Sequence, residues 1–252
     1  MTTTHKIAAY LDPLLRIDRF KDSSNNGLQV ANSSRVARIC CGVDASLEFF
    51  HEAHRRGAGF LICHHGLSWG DSLKRLTGLN YRRIKFLMQH DMALYAAHLP
   101  LDAHPTYGNN ACLAKALGLR QLKPFGLYHD QTIGLRGTLP APLSFQRLAD
   151  RLARVIRHEV TALDFGRPKV RTVAMVVGGG AVGVEEAVQL GMDVYLSGEP
   201  HLSAYNTLRD AGLNGLFGGH YATESFGVQA LGKLLARRFG VDAQFIDLAV
   251  PY

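Results

Sequence analysis

Apolar segments rich in branched side chains alternate with amphipathic segments along most of this chain. Arg38–Val43 has the pattern of a strand, and Ala45–Arg56 follows with apolar residues at helical spacing until Gly57. Phe60–Cys63 then has the pattern of the next strand. Strand–helix–strand units with short connections build mostly parallel sheets that carry helices on both faces. The alternation therefore predicts an α/β fold.

The second half of the chain repeats this alternation. Its strand-like segments are Val170–Val177, Val194–Leu196 and Leu213–Phe217, and amphipathic segments separate them. The apolar spacing predicts helices over Phe145–Ile156, with Ser144 as the N-cap, over Leu202–Ala211, and from about Ser225 to Arg238. We interpret the two halves as similar, interlinked α/β lobes, residues 1–124 and 125–252, related by an internal duplication.

Short blocks that contain a histidine support this interpretation. Leu94–His98 aligns with Leu216–His220, and a carboxylate follows each histidine after four residues, at Asp102 and Glu224. A chance match of short blocks is the alternative. The order of the blocks favours a duplicated unit that carries a polar group at the same place in each lobe.

The composition excludes a disordered chain and a membrane-spanning one. Hydrophobic residues make up 47% of the chain and charged residues 19%, as in folded domains. No run of about 18 apolar residues is present. The short apolar segment 7–11 is broken by Asp12 and Pro13, so it does not predict a signal peptide. We expect a cytoplasmic protein that makes no membrane contact.

Cysteine spacing and charge exclude further classes. Cys40, Cys41, Cys63 and Cys112 include no Cys-x-x-Cys pair, which excludes a structural zinc ribbon and predicts reduced thiols buried on strands. The formal charge of +7 is compatible with nucleic acid or an anionic small molecule as a partner. The basic residues are scattered, however, which favours an ordinary basic surface.

Histidines stand where three predicted strands end: His64 with His65, His98, and His220. Open α/β sheets place ligands at the carboxyl ends of their strands. Neutral imidazole and carboxylate groups are typical ligands of divalent transition metals. The sequence therefore predicts a metal site whose ligands are His64, His65, Asp102, His220 and Glu224.

Two adjacent side chains on an extended backbone point to opposite sides, so His64 and His65 can each serve a different ion. We expect two divalent ions per chain, with zinc, iron, manganese, cobalt and nickel all compatible with these donors. His98 is either a further ligand or a group that orients Asp102. As candidates for acid–base catalysis we name His98 together with Glu199 and His201, although the last two also fit a simple polar turn.

The glycine-rich segment 178–183 does not predict a nucleotide site. It lacks the Lys-Ser/Thr pair of a P-loop, and Val184 stands where the dinucleotide fingerprint needs glycine. A tight strand-to-helix turn is the interpretation that we favour, with an anion at the helix start as the alternative.

Six blocks in order along the chain resemble a known family, the NGG-interacting-factor-three-like proteins, which are dinuclear-metal-centre hexamers often named GTP cyclohydrolase 1 type 2 homologues. The blocks lie at residues 26–30, 43–44, 63–67, 97–103, 196–199 and 219–224. Two departures stand out. Gly66 replaces a proline common after the histidine pair, which predicts a looser loop, and a tryptophan common before Asn26 is absent.

The resemblance implies two α/β lobes with a metal pair in the cleft between them. It implies that the positions of the five predicted ligands bind the metals, with Glu224 bridging, and that the chain forms a homohexamer built as a trimer of dimers or a dimer of trimers. For function it suggests a metal-dependent hydrolase that acts on a nucleotide-like small molecule. The alternative is a ring-shaped, metal-binding scaffold that holds nucleic acid or a protein partner without turnover.

Overall fold

The computed structural model describes residues 2–33 and 35–250. In chain order the strands are β1 (Thr2–Thr3), β2 (Gly27–Val30), β3 (Arg35–Val36), β4 (Arg38–Asp44), β5 (Phe60–His65), β6 (Ala93–Ala96), β7 (Arg120–Tyr128), β8 (Gln131–Ser144), β9 (Thr161–Leu163), β10 (Lys169–Val176), β11 (Val194–Ser197), β12 (Asn214–Phe217) and β13 (Asp242–Phe245). The helices are α1 (Thr4–Leu15), α2 (Leu47–Arg55), α3 (Gly78–Gln89), α4 (Leu99–Asp102), α5 (Asn109–Ala116), α6 (Phe145–Ile156), α7 (Val184–Gln189), α8 (Leu202–Ala211) and α9 (His220–Phe239). Within these residues, every helix is too short or too polar to cross a bilayer.

The predicted α/β class is confirmed, and the chain divides into two compact units. The first unit holds the chain up to Leu101 together with Gly227–Leu248, and the second holds Asp102–Phe226. The predicted lobes were contiguous, with their boundary at 124/125. Here the C-terminal segment belongs with the N-terminal one, because β13 pairs in parallel with β4.

The first unit is built on a five-stranded sheet in the order β13-β4-β5-β6-β2. Its strands are parallel except β2, which pairs antiparallel with β6 at the edge. β5 lies in the middle and is buried up to His64, as the continuous apolar run of a parallel strand requires. Carboxyl ends of parallel strands meet at one edge of a sheet, and this places the end of β5 beside the ends of β4 and β6.

The second unit is built on a six-stranded sheet in the order β7-β8-β10-β11-β12-β9. Only β10, β11 and β12 run parallel to one another, and antiparallel strands flank them. Helix α6 covers the sheet with five buried side chains, and Ser144 caps it by accepting a hydrogen bond from the Arg147 amide, as predicted.

Helix α9 begins at His220, five residues before the predicted start at Ser225. The earlier start places His220 and Glu224 one turn apart on the same helix, since residues four positions apart share a face. The cysteine prediction is confirmed for Cys40, Cys41 and Cys63, which are free and buried on β4 and β5. It is wrong for Cys112, which is half-buried on a helix.

Candidate metal centre

The two adjacent histidines at the end of β5 are each held through one ring nitrogen. His64 is fully buried, and its Nδ1 donates to the Ala97 carbonyl oxygen at 2.8 Å. The Nδ1 atom of His65 lies 2.8 Å from the Asp44 carboxylate. The register of the sheet explains this second contact, because Asp44 is the direct partner of His65 between β4 and β5. With Nδ1 engaged in both rings, Nε2 is the nitrogen suited to bind an ion.

His98, just after β6, is held by a buried carboxylate that the sequence analysis missed. Its Nδ1 lies 2.9 Å from Asp22 Oδ1, and the Asp22 side chain is only 2% exposed. Burial raises the pKa of Asp22, but hydrogen bonds from His98, Asn26 and the Ser24 amide outweigh burial and hold this pKa below its usual value. Asp22 therefore stays ionised, so the ring Nδ1 is the donor in this contact.

The three histidines form one cluster in the first unit. One ligand atom from each of His64, His65 and His98 lies within 4.8 Å of those from the other two. The chain's single tryptophan, Trp69, lies beside them, with ring centroids 5.0 Å from His98 and 6.0 Å from His65.

Hydrogen bonds hold the loop after the histidine pair in place, contrary to the looser loop predicted from Gly66. A Cβ at Gly66 would collide with the Gln29 side chain. Gln29 Oε1 accepts hydrogen bonds from the amides of Leu67 at 2.7 Å and Ser68 at 3.1 Å. Because residue 66 is glycine, the Gln29 side chain fits beside the loop and holds it through these hydrogen bonds. The sequence alone did not reveal this contact.

In the second unit, His220 lies between two carboxylates at the start of α9. Its Nδ1 is 2.6 Å from Glu199 Oε1, and its Nε2 is 3.1 Å from Glu224 Oε2. Glu224 is 3% exposed, while Glu199 is 41% exposed and its second oxygen lies 3.2 Å from His201 Nε2. Glu199 thus contacts both His220 and His201.

Asp102 is 6% exposed, and a neighbouring amide fixes its carboxylate. The Asn109 side chain, fully buried on α5, donates to Asp102 Oδ1 at 2.8 Å. Asn109 is a residue that the sequence analysis also missed. Each of the five predicted ligands, as well as His98, belongs to a group of histidine and carboxylate side chains able to hold a metal ion.

A family model described as Duf34/NIF3 (NGG1p interacting factor 3) matches residues 2–250. The chain belongs to the Duf34/NIF3 family. A protein of Deinococcus radiodurans named GTP cyclohydrolase 1 type 2 homolog is 40% identical over 242 residues, which cover 96% of this chain and 92% of that protein. Two solved structures cover all of this chain and are covered in full by it. The protein ybgI, of unknown function, has a TM-score of 0.93 at 32% identity, and TTHA1606 from Thermus thermophilus has 0.91 at 37%.

The donors that this family member presents suit a divalent transition metal. They combine imidazole nitrogens with carboxylate oxygens, which zinc, iron, manganese, cobalt and nickel accept, whereas calcium and magnesium prefer oxygen alone. Hydrogen bonds orient the rings from behind, as Glu199 does for His220, and such support is usual for metal-bound histidine. Gly178 adds a steric observation, because a Cβ there would overlap the Glu224 carboxylate.

The affinity of the metal-free protein for Co²⁺ is expected to rise between about pH 7 and about pH 8.5. Burial lowers the pKa of the His220 imidazole, but the hydrogen bonds and charges of Glu224 and Glu199 outweigh burial and raise the pKa to about 9. An ion that binds Nε2 must displace this proton, so affinity grows by up to about tenfold per pH unit below pH 9. Apparent Kd values at the two pH values test the effect. Glu199→Gln should flatten it by lowering the pKa, and a wild-type affinity independent of pH would contradict it.

Proposed function

We propose that the protein is a metal-dependent hydrolase in which His64, His65, Asp102, His220 and Glu224 hold two divalent ions. The observation that carries the proposal is that hydrogen bonds already hold these side chains in orientations suited to metal binding. His64, His65 and His220 each have Nδ1 engaged with an oxygen acceptor, and Asn109 holds Asp102. Rings and carboxylates restrained in this way lose little freedom when an ion binds.

The order of the ligands along the chain supports their use of shared ions. Asp102 directly follows Leu101, where the chain leaves the first unit. Glu224 precedes by three residues the point in α9 where the chain returns to that unit. Ligands from both units therefore stand next to the covalent connections between the units.

When bound, two such ions lower the pKa of a water molecule and polarise an oxygen of the substrate. The protein's own residues would do the rest. Glu199 keeps His220 oriented and links it to His201, whose side chain is 45% exposed and so is able to reach a substrate. His98, backed by Asp22, offers a further nitrogen beside the histidine pair. We assign proton transfer or substrate contact to His98, Glu199 and His201.

The substrate class that we propose is a nucleotide-like small molecule. The support is the name GTP cyclohydrolase 1 type 2 homolog, which two relatives carry. The match to this chain covers at least 92% of the length of each of them. In such a substrate the ions would act on a phosphoryl or carbonyl oxygen. The proposed assembly is a homohexamer of this chain in the cytoplasm.

A turnover screen of nucleoside mono-, di- and triphosphates tests this function. The full chain, reconstituted with Co²⁺, Mn²⁺, Zn²⁺, Fe²⁺ or Ni²⁺, should convert at least one nucleotide. His64→Ala should reduce the rate at least about 100-fold, because loss of an outer-shell partner alone costs about 10- to 100-fold. His5→Ala, an exposed histidine of α1, is the matched control and should have no effect.

Turnover that persists in both His64→Ala and Glu224→Ala would contradict the proposed site. Steeply salt-dependent binding of a single-stranded oligonucleotide, with no turnover of any nucleotide, would favour the scaffold alternative instead.

A further inference from the structure

His104 stands two residues after Asp102, in the second unit, and its Nδ1 atom is a hydrogen-bond acceptor. The backbone amides of Thr106 and Tyr107 both donate to it, at 3.1 Å and 3.0 Å. A backbone N–H only donates, so the lone pair of the ring lies on Nδ1. In the neutral ring the hydrogen is therefore on Nε2.

The histidines among the proposed ligands show the reverse arrangement. His64, His65 and His220 each have Nδ1 beside a carbonyl or carboxylate oxygen, which leaves Nε2 as the nitrogen for an ion. In His104 two amides occupy the Nδ1 lone pair, and Nε2 carries a hydrogen. Neutral His104 is thus neither a ligand through Nε2 nor a proton acceptor. The chemistry left to its outer nitrogen is hydrogen-bond donation.

The short segment around His104 holds the ring in place. The Gly108 amide donates to the His104 carbonyl oxygen at 3.0 Å, and the Tyr107 ring lies beside the imidazole with ring centroids 5.1 Å apart. His104 is half-buried, so part of the ring is accessible to a bound molecule. A donor fixed in this way loses little freedom when it meets an acceptor.

The same segment is tied to Asp102 at its far end. Asn109 donates to Asp102 Oδ1 at 2.8 Å, and Asn110 donates to the Asp102 carbonyl oxygen at 3.3 Å. Residues 102–110 therefore form a closed loop that begins at a proposed metal ligand, returns to it and carries His104 in between. A molecule bound at an ion on Asp102 would lie next to this loop.

We propose that His104 contacts the substrate, and that its Nε2–H donates a hydrogen bond to an anionic oxygen, such as a phosphate oxygen, of a molecule bound at the metal centre. The inference rests on the proposed function for the place and class of that molecule. It deepens that function by giving His104 a role distinct from metal binding and from proton abstraction. An N–H aimed at such an oxygen also stabilises negative charge that develops there during reaction.

A pair of substitutions separates hydrogen-bond donation from support of the loop. His104→Asn keeps an acceptor for the amides, because asparagine side chains commonly accept from the amide two residues ahead, but it loses the outer N–H. His104→Gln has a longer side chain and places an amide N–H at about the reach of Nε2. A purely structural role would therefore tolerate asparagine better than glutamine, and the proposed role predicts the opposite order.

The full chain loaded with Co²⁺ is titrated with inorganic phosphate by calorimetry. His104→Asn should weaken phosphate binding about 10- to 100-fold, as loss of a hydrogen bond to a charged group does, and should leave both Co²⁺ ions bound. His104→Gln should regain part of the lost affinity. His5→Asn makes the same change at an exposed histidine of α1 and should have no effect.

Neutron diffraction locates the hydrogen directly and needs neither metal nor turnover. Crystals of the metal-free protein, exchanged into mildly alkaline heavy water, should show deuterium on Nε2 of His104 and none on Nδ1. Deuterium on Nδ1 would overturn the inference.

Three results of the titration would also overturn it. These are unchanged phosphate affinity in His104→Asn, loss of a Co²⁺ ion in that variant, and no phosphate binding by the wild-type chain loaded with Co²⁺. A nucleotide turned over at the wild-type rate by His104→Asn would leave the proposed hydrolase standing without this contact. Conversely, phosphate binding that depends on His104, in a protein that turns over no nucleotide, would support the inference and count against hydrolysis alone.

Discussion

Glu224→Gln is expected to reduce metal binding from two ions per chain to one at most and to abolish turnover. Glu224 is the most deeply buried carboxylate in the proposed ligand set, at 3% exposed, and its Oε2 lies 3.1 Å from His220 Nε2. A neutral amide of the same shape keeps the packing and removes the charge that a shared ion requires. Loss of an outer-shell partner alone costs about 10- to 100-fold in affinity, so loss of this direct ligand should exceed 100-fold.

Elemental analysis after dialysis against a metal buffer measures this change directly. Glu185→Gln is the matched control, because Glu185 is an exposed carboxylate on α7 and its charge is removed in the same way. The control should keep both ions. A Glu224→Gln chain that retains two tightly bound ions would show that Glu224 is not a ligand.

Gly178→Ala is expected to abolish the metal binding that depends on Glu224, although the substitution replaces no ligand. An added Cβ would overlap the Glu224 carboxylate and lie 3.0 Å from His220 Nε2. Gly178 also has φ +61°, where alanine costs about 1–2 kcal/mol. Steric overlap in a packed site adds about 1–3 kcal/mol, because the carboxylate must leave its position.

Gly191→Ala separates these two costs. Gly191 has the same φ of +61°, but no heavy atom lies within 4 Å of an added Cβ. It should lower the free energy of unfolding by about 1–2 kcal/mol and leave metal binding intact. Chemical denaturation and metal titration of both variants provide the comparison. Equal metal affinity in the two variants would contradict the role given to the Gly178–Glu224 contact.

Helices and strands with a strong apolar period were predicted correctly from the sequence. Phe145–Ile156 and Leu202–Ala211 are helices with the predicted bounds, and the Ser144 cap is in place. Two helices were missed: α1, whose residues Ile7, Leu11 and Leu15 do follow a helical period but which carries Pro13, and the short α5. The start of α9 was placed five residues late, because the polar segment His220–Glu224 gives no apolar period of its own.

The groups that support the candidate site were beyond the reach of sequence patterns. Asp22 lies 76 positions from His98, and Glu199 lies 21 from His220. Asp22 could have been noticed, since it stands just before the block at 26–30 that resembles the family. Nothing in its spacing, however, connects it to a particular histidine.

The sequence alone determined the α/β class, most element positions and the histidines at strand ends. These features follow from residue types and from apolar patterns among residues only a few positions apart. The tertiary structure decided which oxygen holds each ring nitrogen, and it placed β13 in the first unit's sheet beside β4. These features depend on the register between strands and on contacts between distant segments. Such contacts form only when the packed chain brings those segments together, and no local pattern encodes them.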